Sequence, residues 1–167
     1  MRSSRTRPPR IGVAAAVLAI AVSGCGPGGS PSGGSPATTA GWHDDLTGGG
    51  DKLDVATTVA PISSIARNIG GDRIRLHGLI PDATNSHTFE PAPSDARTLA
   101  QADLIVVNGL HLEQPTLAMA EASKSASAQV EMLADNTITK DQWLFDFSFP
   151  ESAGDPNPHL WMDVRYA

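Results

Sequence analysis

Two histidines of this sequence lie in proline-rich segments and carry the side chain that transition metals most often bind. His87 lies in "NSHTFEPAPSD" and His159 in "DPNPHLWMD". Prolines restrict the backbone after the first histidine and before the second, and a rigid loop lowers the cost of ordering a ligand before the metal arrives. Neutral imidazole suits zinc, manganese and iron, so this pair is a candidate for half of a metal site. Spacing alone leaves a second interpretation open, in which both are hydrogen-bonded loop residues.

The elements around these histidines alternate between strand and helix. "LDVATTV" (53–59) is β-branched and alternating, "APISSIARNIGG" (60–71) has helical periodicity, and "DRIRLHGLI" (72–80) is again strand-like. The same patterns predict helices over 94–102 and about 114–125, and strands over 103–109 and 128–133. The strand–helix–strand order predicts an α/β fold with a parallel sheet.

Three polar segments follow the predicted strands: "IPDATNSHTFEPAP", "NGLHLEQP" and "DPNPHLW". In open α/β sheets ligands bind beyond the carboxyl ends of the strands, so both histidines are expected at one crevice. Residues 135–158 are predicted to be mainly loop. The alternating aromatic residues of "QWLFDFSF" are expected to pack in the core or at the edge of the crevice rather than to form a recognition stripe.

The amino terminus has the features of an export signal. Residues 1–24 contain four arginines followed by an apolar run from Ile11 to Val22, which is typical of a secretory signal peptide. Cys25 is the only cysteine and follows Val-Ser-Gly, a pattern that resembles a bacterial lipobox. We therefore expect lipid attachment at Cys25 and a location on the outer face of the cytoplasmic membrane. A free reactive thiol is the alternative.

Composition separates a tether from a folded body. Residues 25–50 comprise Cys25 and a Gly/Ser/Pro-rich stretch that predicts a flexible linker, with His43, Asp44 and Asp45 in solvent. Residues 51–167 form the predicted α/β lobe. Without the arginine-rich signal the chain has 8 basic and 18 acidic residues, which argues against nucleic-acid partners.

Three stretches together resemble one protein family: "VATTVAPISSIARNIGGDRIRLHGLIP", "SHTFEPAPSDARTLAQADLIVVNGLHLE" and "NPHLWMDV". They match, in order, the motifs of the metal-binding lipoproteins of bacterial ABC importers for manganese, zinc or iron. The resemblance implies that His87 and His159 are metal ligands, for zinc or manganese rather than iron. It also implies that four residues shape the first loop: Glu90, Pro91, Ser94 and Asp95. Many family members have Asp-Pro where this chain has Asn85-Ser86, which predicts a slightly looser first loop.

The resemblance also assigns structural roles. Asn108, Gly109 and Glu113 match a segment near the crevice that shapes the fold without contacting metal. His77 and His111 match no ligand position and are expected to be structural or surface residues.

Members of the family have two α/β lobes that clamp the metal, and each lobe supplies two ligands. The resemblance implies that this chain is the N-terminal lobe of such a protein, with the second lobe absent, either as a fragment or as a truncated gene product, and that it holds metal weakly. The implied function is capture of a divalent metal for a permease and an ATPase, without catalysis. Two alternatives remain: a surface adhesin, and a zinc hydrolase, for which no H-E-x-x-H motif is found.

Overall fold

The structure is a computed structural model that describes residues 42–167. The predicted signal peptide, Cys25 and the first part of the predicted linker lie outside the described residues. No helix in the described part is both long enough and apolar enough to cross a membrane. The elements, in chain order, are β1 Leu53–Thr57, α1 Ala60–Gly70, β2 Ile74–Gly78, α2 Asp95–Gln101, β3 Leu104–Val107, α3 Gln114–Ser123, β4 Gln129–Met132 and α4 Leu133–Thr137.

The four strands form one parallel sheet in the order β2-β1-β3-β4. Val55 of β1 pairs with Leu76 of β2 on one side and with Leu104 of β3 on the other. Strand β2 therefore lies on one side of β1 and β3 lies on the other, so the strand order reverses between β1 and β3. Ligands of open α/β sheets bind beyond the carboxyl ends of the strands at such a reversal. The predicted fold class, a parallel α/β lobe, is confirmed.

Each face of the sheet has its own hydrophobic core. Neighbouring residues of a strand point to opposite faces, so Val55 and Ala56 belong to different cores, as do Val106 and Ile105. Helix α1 covers one face, mainly through Ile62. Helices α2 and α3 pack against each other and cover the second face.

The largest departure from the predicted elements is helix α4, whose residues were predicted to end a strand and begin a loop. Its sequence, LADNT, has little intrinsic helical preference. Tertiary contacts hold it instead: Ala134 N donates to Asn108 O at 2.8 Å, and Asp135 Oδ2 accepts from Leu110 N at 2.8 Å. Gly109 has a φ of +87°, and a side chain there would collide with Asp135.

The prediction of a flexible linker is wrong for residues 42–50, which pack on the lobe. Leu46 is only 6% exposed and belongs to the core beneath α2. The Asp44 carboxylate accepts a hydrogen bond from Leu76 N at 2.8 Å and pairs with Arg67. Trp42 is partly buried in the other core. One leucine among glycines and polar residues is too weak a pattern to reveal this docking from sequence.

Asp54, a residue of β1, fixes the carboxyl-terminal end of the 42–50 segment. Its fully buried carboxylate accepts backbone hydrogen bonds from Thr47, Gly48 and Gly49 at 3.2, 2.9 and 3.2 Å, and it pairs with the Arg75 guanidinium at 2.9 Å. Burial on its own raises the pKa of the Asp54 carboxyl, but the hydrogen bonds from Arg75 and the amides outweigh it and lower the pKa.

We expect Leu46→Ala to lower the free energy of unfolding by about 2–4 kcal/mol, because it leaves a cavity in a packed core. The measurement is urea unfolding followed by tryptophan fluorescence. Leu144→Ala is the matched control, since Leu144 is 57% exposed and should change stability by less than about 0.5 kcal/mol. Equal losses in the two variants would contradict docking of this segment.

We expect Asp54→Asn to destabilise the chain strongly at pH 7 and progressively less as the pH falls below about 3.9. The folded-state pKa of Asp54 is lowered, so its stabilisation is present above the unfolded pKa, about 3.9, and is lost as the pH falls through the folded-state value. Urea unfolding of both proteins between pH 3 and 7 measures this. Asp82→Asn, at an exposed residue, is the control, and a difference that does not narrow in acid would contradict the assignment.

Candidate metal centre

The structure brings His87 and His159 together although 72 residues separate them. Their Nε2 atoms are 3.3 Å apart and their ring centroids 5.3 Å apart. Two nitrogens bound to one tetrahedral zinc ion at about 2.0–2.1 Å lie about 3.3–3.4 Å from each other. The pair therefore already has the separation that a shared tetrahedral ion requires.

Each of the two histidines follows an asparagine turn. Asn85 Oδ1 accepts a hydrogen bond from His87 N at 3.0 Å, and Asn157 Oδ1 accepts one from His159 N at 3.0 Å. Such turns fix the backbone locally because a side chain takes the place of a backbone acceptor. Asn85 therefore holds the turn of the first loop, and the expectation that this loop is looser than in relatives with Asp-Pro stays a prediction. The sequence signal for this arrangement, N-x-H at both sites, was not recognised.

Asn157 also orients the His159 ring. Its Oδ1 lies 2.7 Å from His159 Nδ1, and an amide oxygen only accepts, so Nδ1 carries the proton. The Nε2 lone pair of His159 then faces His87 Nε2, 3.3 Å away. Asn157 is itself held by Asp146, whose Oδ2 accepts from Asn157 Nδ2 at 2.6 Å. This Asp–Asn–His chain has the form of the outer contacts that fix metal-binding histidines, and sequence reasoning missed both partners.

Aromatic rings surround the pair. The Phe149 ring centroid lies 5.6 Å from that of His87 and 5.5 Å from that of His159, and Trp161 lies 5.2 Å from His159 on another side. The same Asp146 places Phe149, because its Oδ1 accepts from Phe149 N at 3.0 Å. The expectation that this aromatic segment packs at the crevice edge holds for Phe149, whereas Phe147 is fully exposed.

Burial lowers the pKa of His159, and the nearby His87 lowers it further, while the negative charge of Asp146 opposes the shift. The net direction is downward. Since a metal binds only the neutral imidazole, this shift favours the form of His159 that is able to act as a ligand.

A buried carboxylate, that of Glu113, lies beneath the loop that carries His159. Glu113, 3% exposed, accepts from Thr58 Oγ1 at 2.6 Å and from Asn108 N at 2.7 Å. Asn108 Nδ2 in turn donates to Pro158 O at 3.0 Å, one residue before His159. Burial raises the pKa of Glu113 despite these hydrogen bonds. The network links the ends of β1 and β3 to the loop that carries His159, consistent with the structural role expected for Asn108 and Glu113.

The four residues expected to shape the first loop differ in their surroundings. Asp95 Oδ2 accepts from Ala92 N at 2.8 Å and so fixes the entry to α2. Ser94 occupies the N-cap position of α2, but its side chain makes no capping hydrogen bond. Pro91 is half-buried and Glu90 is exposed. Their influence on the site stays a prediction.

The other histidines expected to be structural lie elsewhere. His77 is in β2, and His111 is paired with Asp155 at the surface. Within residues 42–167 no group of three or more His, Cys, Asp or Glu side chains converges on one point. The described residues therefore offer two ligands at the crevice and not a complete set.

Comparison with known proteins identifies the family of this chain. The sequence model of the family described as "ZnuA: Zinc-uptake complex component A periplasmic" matches residues 55–167. The metal ABC transporter substrate-binding lipoprotein FimA of Streptococcus parasanguinis is 31% identical over 119 residues, which cover 71% of this chain and 38% of that protein. The manganese ABC transporter substrate-binding lipoprotein PsaA of Streptococcus pneumoniae is 32% identical over 115 residues, covering 69% and 37%. The chain thus spans less than two fifths of the length of these relatives.

Solved structures show the same relationship. The periplasmic zinc binding protein TroA from Treponema pallidum aligns with a TM-score of 0.59 at 30% identity, over 69% of this chain and 39% of that one. A crystal structure of ZnuA aligns with a TM-score of 0.56 at 28% identity, over 66% and 40%. The resemblance found in the sequence motifs is confirmed: this chain belongs to the family of ZnuA-type zinc-uptake complex component A proteins.

Proposed function

We propose that this chain contributes one lobe of an extracytoplasmic receptor that captures zinc or manganese for an ABC importer. The observation that carries the proposal is the 3.3 Å approach of His87 Nε2 and His159 Nε2, with the second ring oriented from behind by Asn157. These two histidines are the proposed ligands. The matched relatives are named as substrate-binding components of transporters, and no catalytic role is assigned.

Two imidazoles are half of the usual ligand set. Structural zinc is normally held by four protein ligands, and a complete site contributes about 10–16 kcal/mol. Half of that free energy corresponds to a Kd of about 1–200 µM. The lobe therefore presents an open half-site, in which water or groups from a second lobe complete the coordination.

The proposed partners and location follow from the relatives and from the amino terminus. FimA and PsaA are named as lipoproteins of metal ABC transporters, and Cys25 lies at the end of the apolar run that begins at Ile11. In the proposal, lipid on Cys25 holds the lobe at the outer face of the cytoplasmic membrane. A membrane permease with its ATPase receives the metal.

We expect the chain to bind zinc with a Kd in the range given above, and His87→Ala or His159→Ala to weaken binding by at least about tenfold, no less than the loss of an outer contact costs. Isothermal titration calorimetry measures both. His111→Ala is the matched control because it removes an imidazole outside the crevice. Submicromolar binding that His87→Ala abolishes would show that the site is complete, and binding indifferent to both substitutions would refute the assignment.

The adhesin hypothesis makes a different prediction. Adhesion of the chain to a host surface that survives His87→Ala together with His159→Ala would support that alternative over metal capture.

We expect Asn157→Ala to lower zinc affinity by about 10–100-fold, the usual effect of losing an outer-shell partner, because the His159 ring loses the acceptor that fixes its tautomer. Calorimetry at pH 7 gives the affinity. Asn136→Ala, which removes an exposed amide paired with Glu131, is the control. An unchanged affinity in Asn157→Ala would show that the ring needs no such support.

A further inference from the structure

A second pair of histidines lies at the outer edge of the sheet. His43 and His77 face each other across an isolated antiparallel bridge between the 42–44 segment and β2. Two backbone hydrogen bonds flank the bridge: Asp44 N donates to Leu76 O at 2.9 Å, and Gly78 N donates to Trp42 O. The two histidines are therefore a non-hydrogen-bonded pair, in which side chains lie closest together and on the same face.

The two rings have the same spacing as the pair in the crevice. The centroids of His43 and His77 are 5.4 Å apart with an interplanar angle of 71°, compared with 5.3 Å and 57° for His87 and His159. In the crevice pair this spacing places two nitrogens 3.3 Å apart. The final torsion of a histidine side chain is soft, and His43 is exposed, so its ring is free to turn a nitrogen toward His77.

His77 has a fixed tautomer with one nitrogen available. Its Nδ1 lies 3.1 Å from the Asp44 carbonyl oxygen, and a carbonyl only accepts, so Nδ1 carries the proton. The Nε2 lone pair is then free. A backbone carbonyl behind the ring is a usual outer contact of metal-binding histidines, and here it belongs to the segment that carries His43.

Neighbouring carboxylates do not complete this pair. The Asp44 side chain is turned away, since it accepts from Leu76 N at 2.8 Å and pairs with Arg67. The available ligands are two imidazoles, with water in the remaining positions. Among divalent metals, copper and then nickel and zinc bind such nitrogens most strongly.

We propose that His43 and His77 form a second cation site, which takes a divalent transition metal between the 42–46 segment and the edge strand β2. The bound ion joins two parts of the chain that already meet through the bridge, its flanking hydrogen bonds and the contacts of Asp44 with Leu76 and His77. It stabilises the docking of residues 42–46, because a ligand that binds only the docked form favours that form. This site does not depend on the proposed function of the crevice.

The test uses copper(II) as the probe, on the full chain with His87→Ala and His159→Ala, which removes the crevice pair. Electron paramagnetic resonance reports the nitrogen ligands of the bound ion, and quenching of tryptophan fluorescence gives the affinity. Adding His43→Gln or His77→Gln is expected to weaken binding at least tenfold and to remove the two-nitrogen signature. His111→Gln, the remaining histidine, is the control and should change neither. Any copper held by the amino terminus is common to all variants.

A second readout separates binding from folding. The urea midpoint of the parent variant is expected to rise with added copper, and this rise is expected to disappear in His43→Gln, whose exposed ring leaves the metal-free midpoint unchanged. If His77→Gln does not fold, His43→Gln decides alone. Copper binding that is equal with and without His43, or a midpoint that rises equally in both, overturns the proposal.

Discussion

The Glu113 carboxylate is the interaction on which the geometry of this lobe depends. It is buried beyond the ends of two adjacent strands, and its oxygens accept from Thr58 after β1 and from Asn108 and Gly109 after β3. These groups would otherwise be buried without partners, and an unpaired buried polar group costs about 1–3 kcal/mol. The same Asn108 then holds the Pro158 carbonyl. A change at Glu113 would therefore disturb both the sheet ends and the loop of the second histidine.

The positions of the His87 and His159 rings at the crevice are set by neighbouring side chains rather than by the histidines themselves. The Asp146 carboxylate holds both Asn157 and Phe149, and these two side chains contact the rings of the pair. Pro156 and Pro158 are fully buried, so the loop is fixed on both sides of Asn157. The proposed ligands thus need little rearrangement before an ion arrives, and a preorganised site loses less free energy on ordering.

Periodicity predicted the strands, helices and parallel sheet because those patterns are local. The two crevice histidines were also predictable, since their prolines and the family motifs are written in the sequence. Three features were not. Helix α4 depends on hydrogen bonds that Asn108 O and the Asp135 carboxylate accept. The docked 42–50 segment depends on a core that Leu46 enters, and the role of Asn157 depends on its contact with His159 Nδ1. The first two require partners distant in sequence, which no local pattern encodes, whereas the Asn157 turn is local and its N-x-H signal was missed.

The docked segment also limits how far the lobe can travel. Trp42 lies beside Gly78 at the carboxyl end of β2, which is the edge of the sheet where the crevice loops begin. Seventeen residue steps separate it from Cys25, at most about 56–61 Å of extended chain. With the proposed lipid on Cys25, Trp42 and the crevice edge beside it stay within about that distance of the membrane. Under the proposed function, a permease in that membrane would then meet the lobe at a high effective concentration set by the length of the linker.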